Sequence, residues 1–494
     1  MLVDLGPAAL GAVAFLLLAL WCFSHRRVDR TLAALGLYLG LLDGYLKLKT
    51  GSSVVTLGRD VLVAAIALGA LLRALHSRQS LKLPPLAGFV LAFSAIVVIE
   101  LFNPQAPSVE AGLAGVRQHL EFVPLFFLGF AVMRSESRLQ KLAILLVVCA
   151  AIGGVVSYIQ STLTPEQLAQ WGPGYRERIF GTGVFSGAGR VAFDADAGVS
   201  VRPFGLGSDA GGGAFAAALA LPALIGMMIW TRPTRRWAMA PLSIGLALAV
   251  ATSGSRAGLV IVAVSVAAFG LLAASSRTAS RLIVGLAVSG VLVYAVFQQL
   301  GPNNSTTKRA TTITPGKIVP TYQKERGSSA LKVGEYALRY PLGVGVGTVG
   351  PAGRIFGPVE QRERLNAETL WNFLVIETGL PGLAAILLML LSLMSLALIR
   401  IRRINDLTLR LSLAAVAAPL FGIFGASFAG PTTIGVPAGP YLWFAVGVLS
   451  YWLIQARADL GPSPASADDS AVDSGSDAAA GRRTVERPPE VVRA

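Results

Sequence analysis

Residues Leu383–Ile399 read LAAILLMLLSLMSLALI, an uncharged apolar run that stops at Arg400, Arg402 and Arg403. Its length approaches the roughly 20 residues that carry a helix across the hydrocarbon of a bilayer. The run is not isolated. Similar stretches lie near 8–24, 31–46, 57–75, 85–101, 112–132, 140–160, 208–230, 237–252, 256–275, 281–299, 409–429 and 438–456. Hydrophobic residues make up 54% of the 494 and charged residues 14%. These values predict an all-α polytopic integral membrane protein of about 13 transmembrane helices, with 12 to 14 as the range.

Charge between the runs sets an orientation. The chain is formally +15, which in a soluble protein would suggest nucleic acid, but here the positive residues fall mostly between apolar runs, so topology explains them and no nucleic-acid partner is expected. Loops around His25 to Arg30, Arg73 to Lys82, Arg134 to Lys141, Arg232 to Arg236, Arg277 to Arg281 and Arg400 to Arg410 alternate with less basic ones. Placing those six in the cytoplasm puts the N-terminus, the connections 161–207 and 300–366, and the turn Thr252 to Gly258 outside. Residues 1–457 then form the membrane domain, with its large extracytoplasmic loop before the last three helices. The Ala/Ser/Asp/Gly/Pro-rich segment 458–494 is expected to be a disordered cytoplasmic tail. Cys22 and Cys149 both lie in apolar runs, which leaves neither a disulfide framework nor a zinc cluster.

Immediately before the opening run lies Tyr340–Gly350, YPLGVGVGTVG, then a polar segment, then Leu365–Gly382, LNAETLWNFLVIETGLPG. Gly343, Gly345, Gly347 and Gly350 permit a tight fold or the close approach of a ligand. From Glu368 the helical period sets Asn372 and Val375 or Ile376 on one face and Phe373 and Glu377 on another. Gly379, Leu380, Pro381 and Gly382 then break it. The expectation is a re-entrant or interfacial helix over 367–379, with Glu368 just outside the hydrocarbon. That carboxylate is either a general base or a solvated residue favoured at a helix start.

Three arginines join Glu368 on the expected outer face. Arg202 lies in SVRPFGLGSDAGGGAF, Arg256 in ATSGSRAGL, and Arg117 about one turn inside the span 112–132 with Glu121 at i+4. A guanidinium fork suits phosphate oxygens, and several at a lipid–water boundary suit a diphosphate head group, although each alone also reads as a snorkelling or loop residue. Apart from Arg117 and Glu121 the spans are read as nearly free of central charge. Gly345, Gly347 and Gly350 match G-x-G-x-x-G without the strand and βαβ unit that a nucleotide site requires. His25, His76 and His119 are scattered and give no metal-ligand spacing.

Taken in order, Arg202-Pro203-x-Gly205, Ser253-x-Ser255-Arg256-Ala257-Gly258, Tyr340-Pro341-Leu342-Gly343-Val344-Gly345, then Leu370 and Glu377-Thr378-Gly379-Leu380 resemble the O-antigen ligase and polysaccharide polymerase superfamily over about residues 110–400. The resemblance implies a bacterial inner-membrane glycosyltransferase, metal-independent, inverting and without cofactor, acting at the outer face on a polyprenyl-diphosphate-linked oligosaccharide. Arg202 and Arg256 match the arginines that hold the donor diphosphate. Glu368 stands where the ligases carry a histidine, followed by Thr369 in place of asparagine, and polymerase-like members often look like Glu-Ser or Glu-Asn there. Hence Glu368, Arg202 and Arg256 are the expected catalytic residues, and Arg117, Gly343, Gly345 and Asn372 the expected substrate contacts. The activity implied is polymerisation of O-antigen or exopolysaccharide repeats, with membrane lipid, a flippase and a chain-length regulator as partners. An O-antigen ligase acting on lipid A–core is the alternative within the class. A flippase for lipid-linked oligosaccharide is the alternative outside it, disfavoured by the scarcity of charge in mid-span.

Overall fold

A computed structural model describes residues 5–52, 54–78, 82–182, 191–194, 198–273, 328–356, 365 and 367–456. The expected span 281–299, most of the connection 300–366 and the tail 458–494 lie outside the described residues. The helices are α1 (Leu5–Ser24), α2 (Val28–Thr50, with a π turn at Tyr38–Leu42), α3 (Val54–His76), α4 (Ala87–Glu100), α5 (Val109–Leu120) and α6 (Pro124–Val132). Next come α7 (Glu136–Ser161), α8 (Pro165–Ala169), α9 (Pro173–Phe180), α10 (Gly212–Trp230), α11 (Ala240–Thr252) and α12 (Arg256–Ala273). The last are α13 (Ser328–Arg339), α14 (Gly350–Phe356), α15 (Leu370–Arg400), α16 (Leu407–Ala426) and α17 (Ala438–Ser450). One short antiparallel hairpin, β1 (Val191–Asp194) with β2 (Gly198–Val201), precedes α10.

Six of these stretches are long and apolar enough to cross a membrane: Val28–Thr50, Val54–His76, Glu136–Ser161, Gly212–Trp230, Leu370–Arg403 and Leu407–Ala426. Shorter apolar helices include Ala87–Glu100 and Ala257–Ala273. Their outward faces keep large apolar side chains exposed, among them Leu16, Leu20, Leu68 and Ile99, as a lipid-facing surface requires.

Helices pack through small residues. α7 lies against α10 and α11, α10 against α12, α12 against α16, and α17 against α6. A Cβ at Gly154 would run into the carbonyl oxygen of Gly245, and one at Gly447 into that of Phe126, so these backbones touch directly. In hydrocarbon such close approach, rather than water exclusion, holds helices together.

Contacts between helix ends fall into two sets. Arg73 donates to the Phe23 carbonyl, Trp452 Nε1 to the Met133 carbonyl at 2.7 Å, and Arg400 to the Leu453 carbonyl. At the opposite ends Pro173 and Gly174 press on Gly51, the Gly44 backbone meets Leu206 to Ser208, and Leu370 N donates to the Ser427 carbonyl at 2.9 Å. The second set involves the segments that carry Arg202 and Glu368.

One expected element differs from the sequence reading. The span 112–132 is two helices, α5 and α6, separated at Glu121–Val123. Pro124 opens α6 and cannot donate a helical bond, while Glu121 is drawn sideways onto Arg59. In α15 two helical segments meet at a kink at Gly379 (φ 64°, ψ −168°), where the sequence reading ends its helix 367–379 ahead of the span 382–399.

Candidate active site

The kink at Gly379 explains the glycine-rich loop. Where α15 breaks, the carbonyl of Ile376 and the amide of Leu380 lose their helical partners, and the loop supplies replacements. Val344 N donates to Ile376 O and Leu380 N to Pro341 O, both at 2.8 Å. A Cβ on Gly379 would strike the backbone of Leu342, and one on Gly347 (φ 83°) the carbonyl of Ala111 in α5. The loop is therefore wedged between α5 and the broken helix.

Buried side chains hold it there. Glu377 Oε1 accepts from Val349 N at 2.9 Å, and Gln118 Oε1 from Ala352 N at 3.3 Å. Glu377 Oε2 meets His119 Nε2 at 2.7 Å, with the side chains 0% and 4% exposed. Phe93 and Phe373 enclose that imidazole at ring-centroid distances of 5.7 and 5.0 Å. Glu100 accepts from Asn103 Nδ2 at 2.8 Å beneath the same loop. Gly343 lies against the backbone of Glu377 and Gly379, and Gly345 against Asn103 and Ala106.

Glu368 sits two residues before the first helical residue, half-buried. Thr369 is the N-cap, its hydroxyl accepting from Asn372 N at 3.1 Å, which sets the helix start at Leu370 rather than at 367. Asn372 is fully buried in the first turn.

The Arg202 segment is anchored by one amide. Gln160, near the end of α7, accepts from Phe204 N and Gly205 N at 2.8 Å and donates to Gly205 O at 2.9 Å. Pro203 O then accepts from Gly211 N at 2.9 Å. Gly211, at φ 83°, leaves room for Ser255, whose Cβ would lie 2.8 Å from a Cβ placed there. Ser255 Oγ accepts from Gly258 N at 3.1 Å and so caps α12, whose first residue is Arg256. The residue after Arg202 and the residue before Arg256 are thus linked through Gly211, beside a helix N-terminus whose partial positive charge favours anions. From α12, Ile261 packs with Ala426 of α16; Ser427 follows and receives Leu370. This run of contacts leads from Arg256 to the helix that Glu368 precedes.

A buried ionic network stands between these parts. Arg59 binds both oxygens of Glu121, at 2.8 and 3.0 Å, and lies 3.5 Å from Asp43. Arg117 pairs with Asp60 and approaches Glu121 at 3.9 Å. Lys47 is within electrostatic reach of Arg59, Arg117, Arg178 and Asp43. The expected i,i+4 partnership of Arg117 with Glu121 is present but long, and Asp60 is the nearer partner.

Sequence reading passed over three members of this network: Asp43, near the end of the expected span 31–46, and Arg59 with Asp60, at the start of 57–75. The apolar neighbours that mark a span masked them, although an ionisable residue inside such a run is itself a signal. His119 and Glu377 were missed for a different reason, being 258 positions apart. Nothing local announces Gln160. No known protein family matches the chain, and no curated protein shows similarity to it.

Proposed function

We propose that the chain is a bacterial inner-membrane glycosyltransferase of about thirteen spans that polymerises polysaccharide repeats at the outer face, using polyprenyl-diphosphate-linked glycan as donor. The observation that carries the reading is the Gly211–Ser255 contact, which brings the Arg202 segment and the capped start of α12 at Arg256 together from stretches some fifty residues apart. Two guanidiniums and a helix N-terminus suit a diphosphate leaving group. Glu368 precedes the helix whose first amide bonds to Ser427 just after α16, and α12 packs on that same α16.

In this mechanism the acceptor hydroxyl oxygen attacks the anomeric carbon, the bond to the diphosphate oxygen breaks, and Glu368 takes the hydroxyl proton. Arg202 and Arg256 stabilise the charge growing on the leaving diphosphate. The ionic network around Arg59 is the feature that favours a transporter, yet its charges are paired within the protein and lie toward one end of α2 and α3.

The test is glycan transfer by the purified protein in nanodiscs, with a lipid-diphosphate repeat unit as sole substrate and chelator present. A ladder of longer products is expected, falling by roughly 10²–10⁴ in Glu368→Gln. Transfer that requires lipid A–core would make the protein a ligase. No transfer to either acceptor would overturn the enzyme reading in favour of transport.

A further inference from the structure

The aromatic contacts around Arg202 extend away from it. Phe204 packs edge-on against Tyr175 of α9 at 5.5 Å, and Tyr175 against Trp171 at 5.8 Å. Tyr175, Phe204, Leu168 and Ile179 form a small core separate from the helix bundle, closed by Leu48 at the end of α2. Burial raises the Tyr175 phenol above its ordinary pKa, so it stays neutral in the range where the protein works. The unit is rigid. A Cβ at Gly172 would strike Lys49, and one at Gly174 would come within 2.8 Å of the Leu48 carbonyl oxygen. α8 is fixed by a capping box between Thr164 and Gln167.

Between this unit and the end of α2 is a groove of about 620 Å³ lined by Tyr45, Lys49, Leu163, Gln167, Gln170 and Trp171. Tyr45 and Lys49 share one face of α2 at i,i+4 spacing. Tyr45 and Trp171 are half-buried, while Lys49, Gln167 and Gln170 are exposed. Two partly covered aromatic rings beside two carboxamides and an ammonium form a surface suited to sugars. Ring faces cover the C–H faces of a pyranose, amides donate to and accept from vicinal hydroxyls, and Lys49 can meet a hydroxyl or an acidic substituent. Trp and Tyr also gather at membrane interfaces, where a ring meets lipid head groups instead of sugars.

We infer that this groove is an oligosaccharide subsite, in which Trp171 and Tyr45 form the platform and Gln167 and Gln170 read hydroxyls. The inference rests on the proposed transferase, because the path Trp171–Tyr175–Phe204 ends two residues from Arg202. Tyr175 and Phe204 are themselves buried, so these rings tie the groove to the Arg202 segment rather than line a route, and the groove would take sugars remote from the diphosphate. It would set how long a glycan is held between additions.

The probe is the water-soluble oligosaccharide fraction released by mild acid from the producing cell's lipid-linked pool, added to the full-length protein in nanodiscs and followed by saturation-transfer NMR. Saturation should reach sugar protons. Binding should weaken by roughly three- to tenfold in Trp171→Ala, the range one aromatic contact supplies. Gln170→Ala, on an exposed side chain, should weaken it without disturbing the fold. Trp237→Ala, 83% exposed on a distant loop, should bind as wild type.

Unchanged binding in both Trp171→Ala and Gln170→Ala would overturn the subsite even if the wild type polymerises. Saturation passing to lipid head-group protons instead of sugars would overturn it in favour of an interfacial belt. Sugar binding lost in both variants, with no transfer by the wild type, would support the subsite and refute the transferase.

Discussion

Replacing Glu377 by alanine removes two bonds at once, the 2.7 Å contact to His119 and the 2.9 Å bond from Val349 N. Both partners are buried. An orphaned buried donor or acceptor costs about 1–3 kcal/mol, so the two together should cost about 3 kcal/mol, over a hundredfold in the folded ratio. Polar contacts between helices in a bilayer average only about 0.6 kcal/mol, because helices unfolded within the membrane find other partners. The higher figure should hold here because one of the two partners is a loop amide, which an isolated helix cannot satisfy internally.

Glu377→Gln keeps the Val349 bond and should cost about 1 kcal/mol. The assay is unfolding in mixed micelles by SDS titration, with His119→Ala and the double variant completing a thermodynamic cycle. A coupling of about 1–2 kcal/mol between the two residues is expected. Additive effects, or a shift below about 0.5 kcal/mol for Glu377→Ala, would show that the pair does not hold the loop on the kinked helix.

Other outcomes follow from the same packing. Gly347→Ala places a side chain at φ 83° against the Ala111 carbonyl and should cost about 2–5 kcal/mol, read as loss of the monodisperse peak on mild heating. Gly334→Ala, in α13 with nothing within 4 Å of its Cβ position, should gain about 0.5–1 kcal/mol in the same assay. Arg59→Ala strands Glu121 and Asp43, 5% and 2% exposed, and should cost about 3–5 kcal/mol, whereas Arg117→Ala, from a side chain 37% exposed, should cost under about 1 kcal/mol. Adding Glu121→Ala to Arg59→Ala should recover part of the loss; no recovery would mean that Arg59 acts instead through the Phe122 ring, whose centroid lies 5.0 Å from its guanidinium carbon.

What was legible in the sequence is what repeats locally. Apolar runs located the helices, and glycines with Pro381 marked the break in α15, since both signals depend on neighbouring residues. The helix start was misplaced by three residues because Glu368 and Thr369 can each open a helix, and only the hydroxyl bond to Asn372 N decides between them. Partners were not legible. Glu121 has Arg117 at i−4, yet its close partner is Arg59 on another helix, 62 positions away. Gln160 could not be distinguished in sequence from any amide near the end of an apolar run, and its role appears only when Phe204 and Gly205 fold over it.

The glycine loop changes how the proposed site divides its work. Glycines at 343, 345, 347 and 350 would allow bare amides to cradle a diphosphate, but several of those amides are already used. Gly343 N donates to Tyr340 O, Val344 N to Ile376 O, and Val349 N to Glu377, while the Glu100 carboxyl takes a bond from the Gly345 backbone. An anion placed there would meet two buried acids, Glu100 and Glu377. On the proposed mechanism the diphosphate therefore belongs with Arg202, Arg256 and the start of α12. The loop acts one step removed: by bonding across the Gly379 break it fixes the direction of the first turns of α15, and with them the position of Glu368. A loosened loop should then lower turnover while leaving donor affinity nearly intact, whereas loss of Arg202 should weaken donor binding itself.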